Sequence, residues 1–479
     1  MTPRFISFIL VPFSLNFCLV SCLAAQDART VLEPILPPVC TRIDARLQVS
    51  GKTLAPADES KLDTARIQKA IDRCGKGRAV LLHVDETNSA FLSGPLELKS
   101  DVTLIVDRGV TLFASRDPAV FAVSPGSCGI VSHVPGPSPQ RQGPVVGGPG
   151  PRGCKPLISV DHAPGSGIMG DGVIDGRGGE KMIGSAYSWW DLAEQARAGG
   201  SQQVPRLIVA DSSDNFTLYR ITLKNSPNFH VVYNHGDGFT VWGLRIDTPQ
   251  RLARNTDGVD PGSGSKNITI THSYIRTGDD NVAIKGGKNG GGPGGVTNMT
   301  VSHNHFYWGH GMSIGSETDG GVSKIRVFDL SLDGPDNGIR IKSNGSRGGL
   351  THDVVYDDVC IRNSPNPITF DTGYTAAGTL KGNSPPTMRD ITLKNIRISG
   401  GGKITFNGYA RDYRIAATLD GVQITDDAQY TYELNHADLI LGPDPTNLHF
   451  PAGQDSTVQG TPAEGAPAAC DDKFVPFPR

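Results

Sequence analysis

A four-residue pattern recurs along this chain: a polar residue or glycine, an apolar residue, a polar residue that is often threonine, then another apolar one. Asn215-Phe216-Thr217-Leu218, Gly238-Phe239-Thr240-Val241, Asn267-Ile268-Thr269-Ile270 and Asn298-Met299-Thr300-Val301 are followed by Lys324-Ile325-Arg326-Val327, Asp353-Val354-Val355 and Asp390-Ile391-Thr392-Leu393. Successive copies start 23, 29, 31, 26, 29 and 37 positions apart, and Asp101-Val102-Thr103-Leu104-Ile105 reads as an earlier copy. A second alternating stretch trails the pattern, as in Ile339-Arg340-Ile341-Lys342 or Ile396-Arg397-Ile398. Alternation with period two marks strands with one buried face. A variable period of strands without helices predicts an all-β solenoid; a propeller needs longer, more even blades, and no leucine ladder is present. Stacking pairs each strand with the coils above and below, so only the two ends expose edges.

Before the repeat, residues 63–74 predict a short amphipathic helix, with Asp63 as N-cap and Ala65, Ile67, Ala70, Ile71 and Cys74 on the apolar face. Such a helix would lid the first open coil. Two stretches break the rhythm. Residues 121–155 are rich in Pro and Gly and read as a long loop, and residues 440–479 as an irregular tail along the column. The asparagines that open several motif copies, Asn267 and Asn298 among them, read as turn residues rather than glycan acceptors. Residues 1–25, with Arg4 ahead of an apolar run and Ala24-Ala25 behind it, read as a cleaved export signal, leaving 26–479 as one secreted domain. Leu19-Val20-Ser21-Cys22 also fits a bacterial lipoprotein site, so an outer-membrane form lipidated at Cys22 is the alternative. Outside that segment lie Cys40, Cys74, Cys128, Cys154, Cys360 and Cys470, an even number in an exported chain. Cys40 with Cys74 and Cys128 with Cys154 are the expected local pairs, which leaves Cys360 with Cys470.

A formal net charge of −3 supplies no general field for nucleic acid, so an acidic ligand would be held by local cations. Candidate chemistry falls one cluster per repeat: Asn255-Thr256-Asp257-Gly258, Gly278-Asp279-Asp280-Asn281, Gly309-His310-Gly311 and Arg340-Ile341-Lys342. In strands, Asn255 and Asp257 would share a side, as would Arg340 and Lys342 with Ile341 turned inward. Gly278 predicts a turn that sends both Asp279 and Asp280 outward, since a bare buried carboxylate is costly. Crowded carboxylates repel, which raises the pKa of at least one and keeps it protonated as an acid. His303, His305 and His310 show no fourth ligand, so neither metal nor other cofactor is expected. Stacked coils would gather three acids, an imidazole and two cations, a set suited to cleaving an acidic sugar chain.

These stretches, with Gly172-Val173-Ile174-Asp175-Gly176-Arg177-Gly178 and Asn225-Ser226-Pro227-Asn228-Phe229-His230, resemble glycoside hydrolase family 28, the polygalacturonases, over roughly residues 60–430. The likeness is to bacterial endo-acting members; Asn281 departs from fungal members, which usually carry cysteine there. The resemblance implies a right-handed parallel β-helix and inverting hydrolysis of α-1,4-linked galacturonan; a monomer is the default expectation. It makes Asp279 the general acid, Asp257 and Asp280 the holders of the attacking water, and His310 a hydrogen-bonding partner within the cluster. Arg340 and Lys342 would bind galacturonate carboxylates, Tyr374 would lie near the sugar, and Asn255 would orient its neighbours. Exo cleavage, a rhamnogalacturonan hydrolase, a pectate lyase and a non-catalytic β-helix binding protein are the alternatives.

Overall fold

The computed structural model describes residues 26–49, 51, 53–132, 153–198, 200–287, 294–374, 383–465 and 467–478. The export segment and the tip of the Pro/Gly loop lie outside them. The chain is a right-handed parallel β-helix. Three ladders of parallel strands run along it. The first begins with Val39–Asp44, Arg78–His83 and Val102–Val106 and continues through Phe216–Tyr219, Asp237–Trp242 and Ser265–Thr271. The second runs from Ala90–Ser93 to Arg245–Asp247 and Tyr274–Arg276, then merges with the first at the long strand Val296–Phe306. The third includes Val231–Asn234, Val259–Pro261, Val282–Ile284, Met312–Ile314, Asn337–Lys342 and Asn366–Asp371.

The recurring motif explains the coil. Its second residues pair in one continuous register, Phe216, Phe239, Ile268, Met299, Ile325, Val354 and Ile391. All are buried, and Phe216 stacks on Phe239 at 5.6 Å. Its first residues turn the corner into the strand: Asp101, Asn215, Asn267, Asn298, Lys324, Asp353 and Asp390 have φ between 50° and 59°, and Gly238 has φ 97°. Asparagine, aspartate and glycine tolerate this left-handed conformation best, which is why they open the motif. The Asn298 amide donates to Asn267 Oδ1 (3.3 Å), and that of Asn267 to Asp237 Oδ1 (2.6 Å). These asparagines are therefore structural.

The capping helix is Thr64–Arg73, with Ile67, Ala70 and Ile71 buried. Two expectations fail there. Asp63 makes no side-chain cap; its carboxylate is held by Arg66 and accepts from the Leu92 amide (3.3 Å), because the chain enters the helix already in helical geometry. Ala65 is exposed, one step off the face that packs on the column. The repeat also hides a helix that strand alternation did not announce: Trp189–Gln195, opened by a reciprocal cap between Ser188 and Asp191. Arg177, from the Gly172–Gly178 stretch, is a buried tie between Glu59 (2.6 Å) and Glu180 (2.7 Å).

Disulfides join Cys40 to Cys74, Cys128 to Cys154 and Cys360 to Cys470. The last pins the tail, where Phe474 and Phe477 lie against the guanidiniums of Arg362 (4.2 Å) and Arg276 (4.0 Å). The tail is not wholly irregular, for Thr457–Gln459 extends the first ladder. Among the described residues no helix is long and apolar enough to cross a membrane.

Candidate active site

The polar clusters sit at one place in the coil. Asp257, Asp279, Asp280 and His310 all occupy the corner that leads into the third ladder, just before Val259–Pro261, Val282–Ile284 and Met312–Ile314. Arg340 and Lys342 lie one coil on, within Asn337–Lys342, with Ile341 fully buried between them. The 255–257 segment is a turn rather than a strand, and Asn255 has φ 59°. Glycines allow the corner to close: a Cβ on Gly278 would stand 2.1 Å from the Ala253 carbonyl, and one on Gly311 2.1 Å from that of Asn337. Asn281, at the departing position, is buried and stitches the corner, taking the Gly311 amide (2.9 Å) and donating to the Trp308 carbonyl (3.1 Å).

The acids do not all face open solvent. Asp257 and Asp280 are 2% and 1% exposed, while the side chains of Asp279 and His310 keep 18% and 31%. Burial is possible because each enclosed acid has cationic partners. Asp280 receives Lys342 Nζ (2.6 Å), Ser313 Oγ (2.7 Å) and Arg340 Nη1 (3.4 Å). Asp257 meets Lys285 Nζ at 3.0 Å. Asp279 accepts from the backbone amides of Asp280 (3.0 Å) and Asn255 (3.3 Å) and faces His310 Nδ1 at 3.1 Å. His310 Nε2 points toward Asp336 at 3.5 Å. Gln202 holds Asn255 by its amide (3.0 Å), and the ring of Tyr374 lies 5.1 Å from the Arg340 guanidinium and 5.2 Å from Lys342 Nζ. All eight expected site residues thus gather around one patch.

One of the three acids is raised, as expected, but it is not Asp279, the general acid that the resemblance implies. The raised carboxyl is Asp257, pushed up to about 7 by burial and the nearby charges of Asp279 and Asp280, against the opposing pull of Lys285. Asp279 goes the other way: burial would raise it, but His310, Lys342 and Lys285 outweigh that and hold it well below the usual carboxylate range. Asp280 is likewise lowered against its burial, chiefly by Lys342. His310 is lifted to about 10, since Asp279 and Asp336 overcome the cost of burying its cation.

A buried layer beneath the acids was missed. Asp260 is fully enclosed and 3.8 Å from Lys285, while Arg206 lies over Phe229 (4.9 Å) with Nε and Nη1 unpartnered among the described residues. His230 donates Nδ1–H to the Asp257 carbonyl (2.9 Å) and accepts from Thr248 (2.8 Å); burial lowers its pKa to about 4, so it stays neutral. A charged residue inside apolar Val259-Asp260-Pro261 was the available clue, for it demands a partner of opposite sign on a neighbouring coil.

Asp279, Asp280 and His310 place possible ligand atoms within 4.8 Å of one another. The set suits a metal poorly: a protonated imidazole has no lone pair to give, and Asp280 is already committed to two cations. His303 and His305 lie elsewhere, bonded to Asp329 and Ser331.

The sequence profile described as "Glycosyl hydrolases family 28" matches residues 149–438. The chain belongs to this family. It is 44% identical over 407 residues to an endo-polygalacturonase of Pectobacterium carotovorum subsp. carotovorum, covering 85% of this chain and 92% of the relative. It is 39% identical over 514 residues to a polygalacturonase of Ralstonia nicotianae, covering 93% and 92%. The solved polygalacturonase from Erwinia carotovora ssp. carotovora superposes with a TM-score of 0.76 at 41% identity, over 86% of this chain and 100% of that one. In this family 28 hydrolase the family profile spans every catalytic candidate, Asp257, Asp279, Asp280 and His310.

Proposed function

We propose that this family 28 polygalacturonase cleaves within de-esterified galacturonan chains by inversion, with Asp279 as acid and Asp257 and Asp280 around the attacking water. The observation that carries the reading is the convergence of three carboxyls and His310 beside Arg340, Lys342 and Tyr374 at one corner of the coil. Below pH 7 Asp280 is the ionised member of the water-holding pair and takes the proton, while neutral Asp257 orients the water through its own hydrogen bond. The proton for the leaving oxygen is stored in the Asp279–His310 pair, on the imidazole while the site is empty. Substrate carboxylates on Arg340 and Lys342 cancel part of the field that keeps Asp279 ionised. The proton then moves onto Asp279, which faces the glycosidic oxygen. Export by the 1–25 segment completes the reading, since polymeric pectin lies outside the cell that secretes the enzyme.

Early products separated by chromatography are expected to form a ladder of oligomers, with no loss of rate in EDTA; a single monomer or dimer from the first minutes contradicts endo cleavage. The pH dependence offers a second check. Ionisation of Asp257 near 7 adds a negative charge beside Asp280 and a bound polyanion, so kcat/KM is expected to fall as pH rises through about 7. Initial rates from acid to alkaline pH at constant ionic strength test this, and a level profile to pH ~9 would rule it out.

A further inference from the structure

The molecule carries a second concentration of cations, far from the catalytic corner. A groove of about 540 Å³ lies between the end strand Val39–Asp44 with its extension to Arg46 and the capping helix Thr64–Arg73. On the strand side Arg42 and Arg46 alternate with Ile43 and Ala45, which turn into the core. On the helix side Arg66, Lys69 and Arg73 follow at spacings of three and four and so share one face. Arg42 is paired with Asp44 (2.7 Å) and Arg66 with Asp63 (2.5 Å). Among the described residues no carboxylate pairs with Arg46, Lys69 or Arg73, and Asp85 is the one further acid on the lining. Arg73 is stabilised by the negative end of the helix, whereas Lys69, one turn back, is repelled by the like charge of Arg73. In a chain of net charge −3 such a row is a local feature, not part of a general positive field.

We propose that this groove is a second binding site for the acidic polysaccharide, holding a stretch of galacturonan remote from the bond being cut. It rests on the polygalacturonase reading for the identity of the polymer. The groove and the corner carrying Asp257, Asp279 and Asp280 are five to six coils apart, about 25 Å at the usual strand spacing. A polymer can occupy both sites, and the second contact keeps the chain close to the first between cuts. A three-ring oligomer occupies one only.

The test is electrophoresis through a native gel containing polygalacturonate, using Asp279→Asn protein to spare the polymer. Retardation is expected, and it should weaken roughly tenfold in apparent affinity when Arg46→Glu, Lys69→Glu and Arg73→Glu are added, as three exposed ion pairs imply. The same triple change in the active enzyme should raise KM for long polymer at low salt and leave trigalacturonate turnover unaltered. Should the triple variant not fold, Arg46→Ser with Lys69→Ser serves in its place. Undiminished retardation of the charge-reversed protein overturns the proposal, as does equal retardation by fully methyl-esterified pectin. Failure of the parent reading looks different: no reducing ends from polygalacturonate with the unaltered enzyme.

Discussion

Asp279→Asn is expected to lower kcat by at least roughly a hundredfold while leaving the fold intact. The side-chain shape is kept, and the amide oxygen in the Oδ1 position can still accept from the backbone amide of Asp280 (3.0 Å), while the 3.3 Å bond from the Asn255 amide to Oδ2 is given up. His310 retains Asp336 as its second partner. What disappears is a group able to take the imidazole proton and pass it on. Binding of oligogalacturonate should survive, because Arg340 and Lys342 are untouched, so the loss belongs in kcat rather than KM. Reducing-end assays with a thermal-unfolding control read both quantities. Near-normal turnover would remove Asp279 from the role and leave Asp257, the carboxyl that keeps its proton to about 7, as the donor.

Lys285→Met should be the most damaging single change to stability around the site. Lys285 is 6% exposed, and its ammonium faces Asp257 at 3.0 Å and Asp260 at 3.8 Å. Those acids hold it above its ordinary pKa despite burial, so it remains cationic throughout the working range. Above about pH 7, where Asp257 is ionised, removing its buried cationic partner leaves uncompensated charge and costs about 3–5 kcal/mol. The sign of the pH effect follows. Burial already holds both carboxyls above the usual carboxylate range, and without Lys285 they bind protons more tightly still, so the variant recovers stability as pH falls and loses it as pH rises. Denaturant midpoints at pH ~5 and ~8 should show the gap to the unaltered protein widening at the higher value. Equal midpoints at both would mean that the buried layer bears no such charge. Activity should fall too, since Asp257 would lose the cation that fixes its carboxyl.

Much of this architecture could be read before any coordinates. The motif spacing implied stacked strands because a period-two alternation repeated at irregular intervals fits a coil and little else. The first motif residue was legible as a turn former for the reason borne out at Asn215, Asn267 and Asn298: only a few side chains accept φ near +55°. Two of the cysteine pairs followed from even number and proximity along the chain, and Cys360 with Cys470, 110 residues apart, only by elimination. The helix Trp189–Gln195 was not legible, since a seven-residue segment inside a strand repeat gives too few turns for its periodicity to stand out. Nor was the Asp63 contact with Arg66, which replaced a cap that local rules favoured.

The sequence by itself determined which chemical groups reach the corner, because stacking places equivalent positions of successive coils one strand spacing apart. It therefore named Asp257, Asp279, Asp280, His310, Arg340 and Lys342. Only the tertiary structure decided which carboxyl holds a proton. That depends on a few ångströms of depth and on cations from other coils, Lys285 and Lys342 above all, whose distances no pattern of residues along one chain encodes.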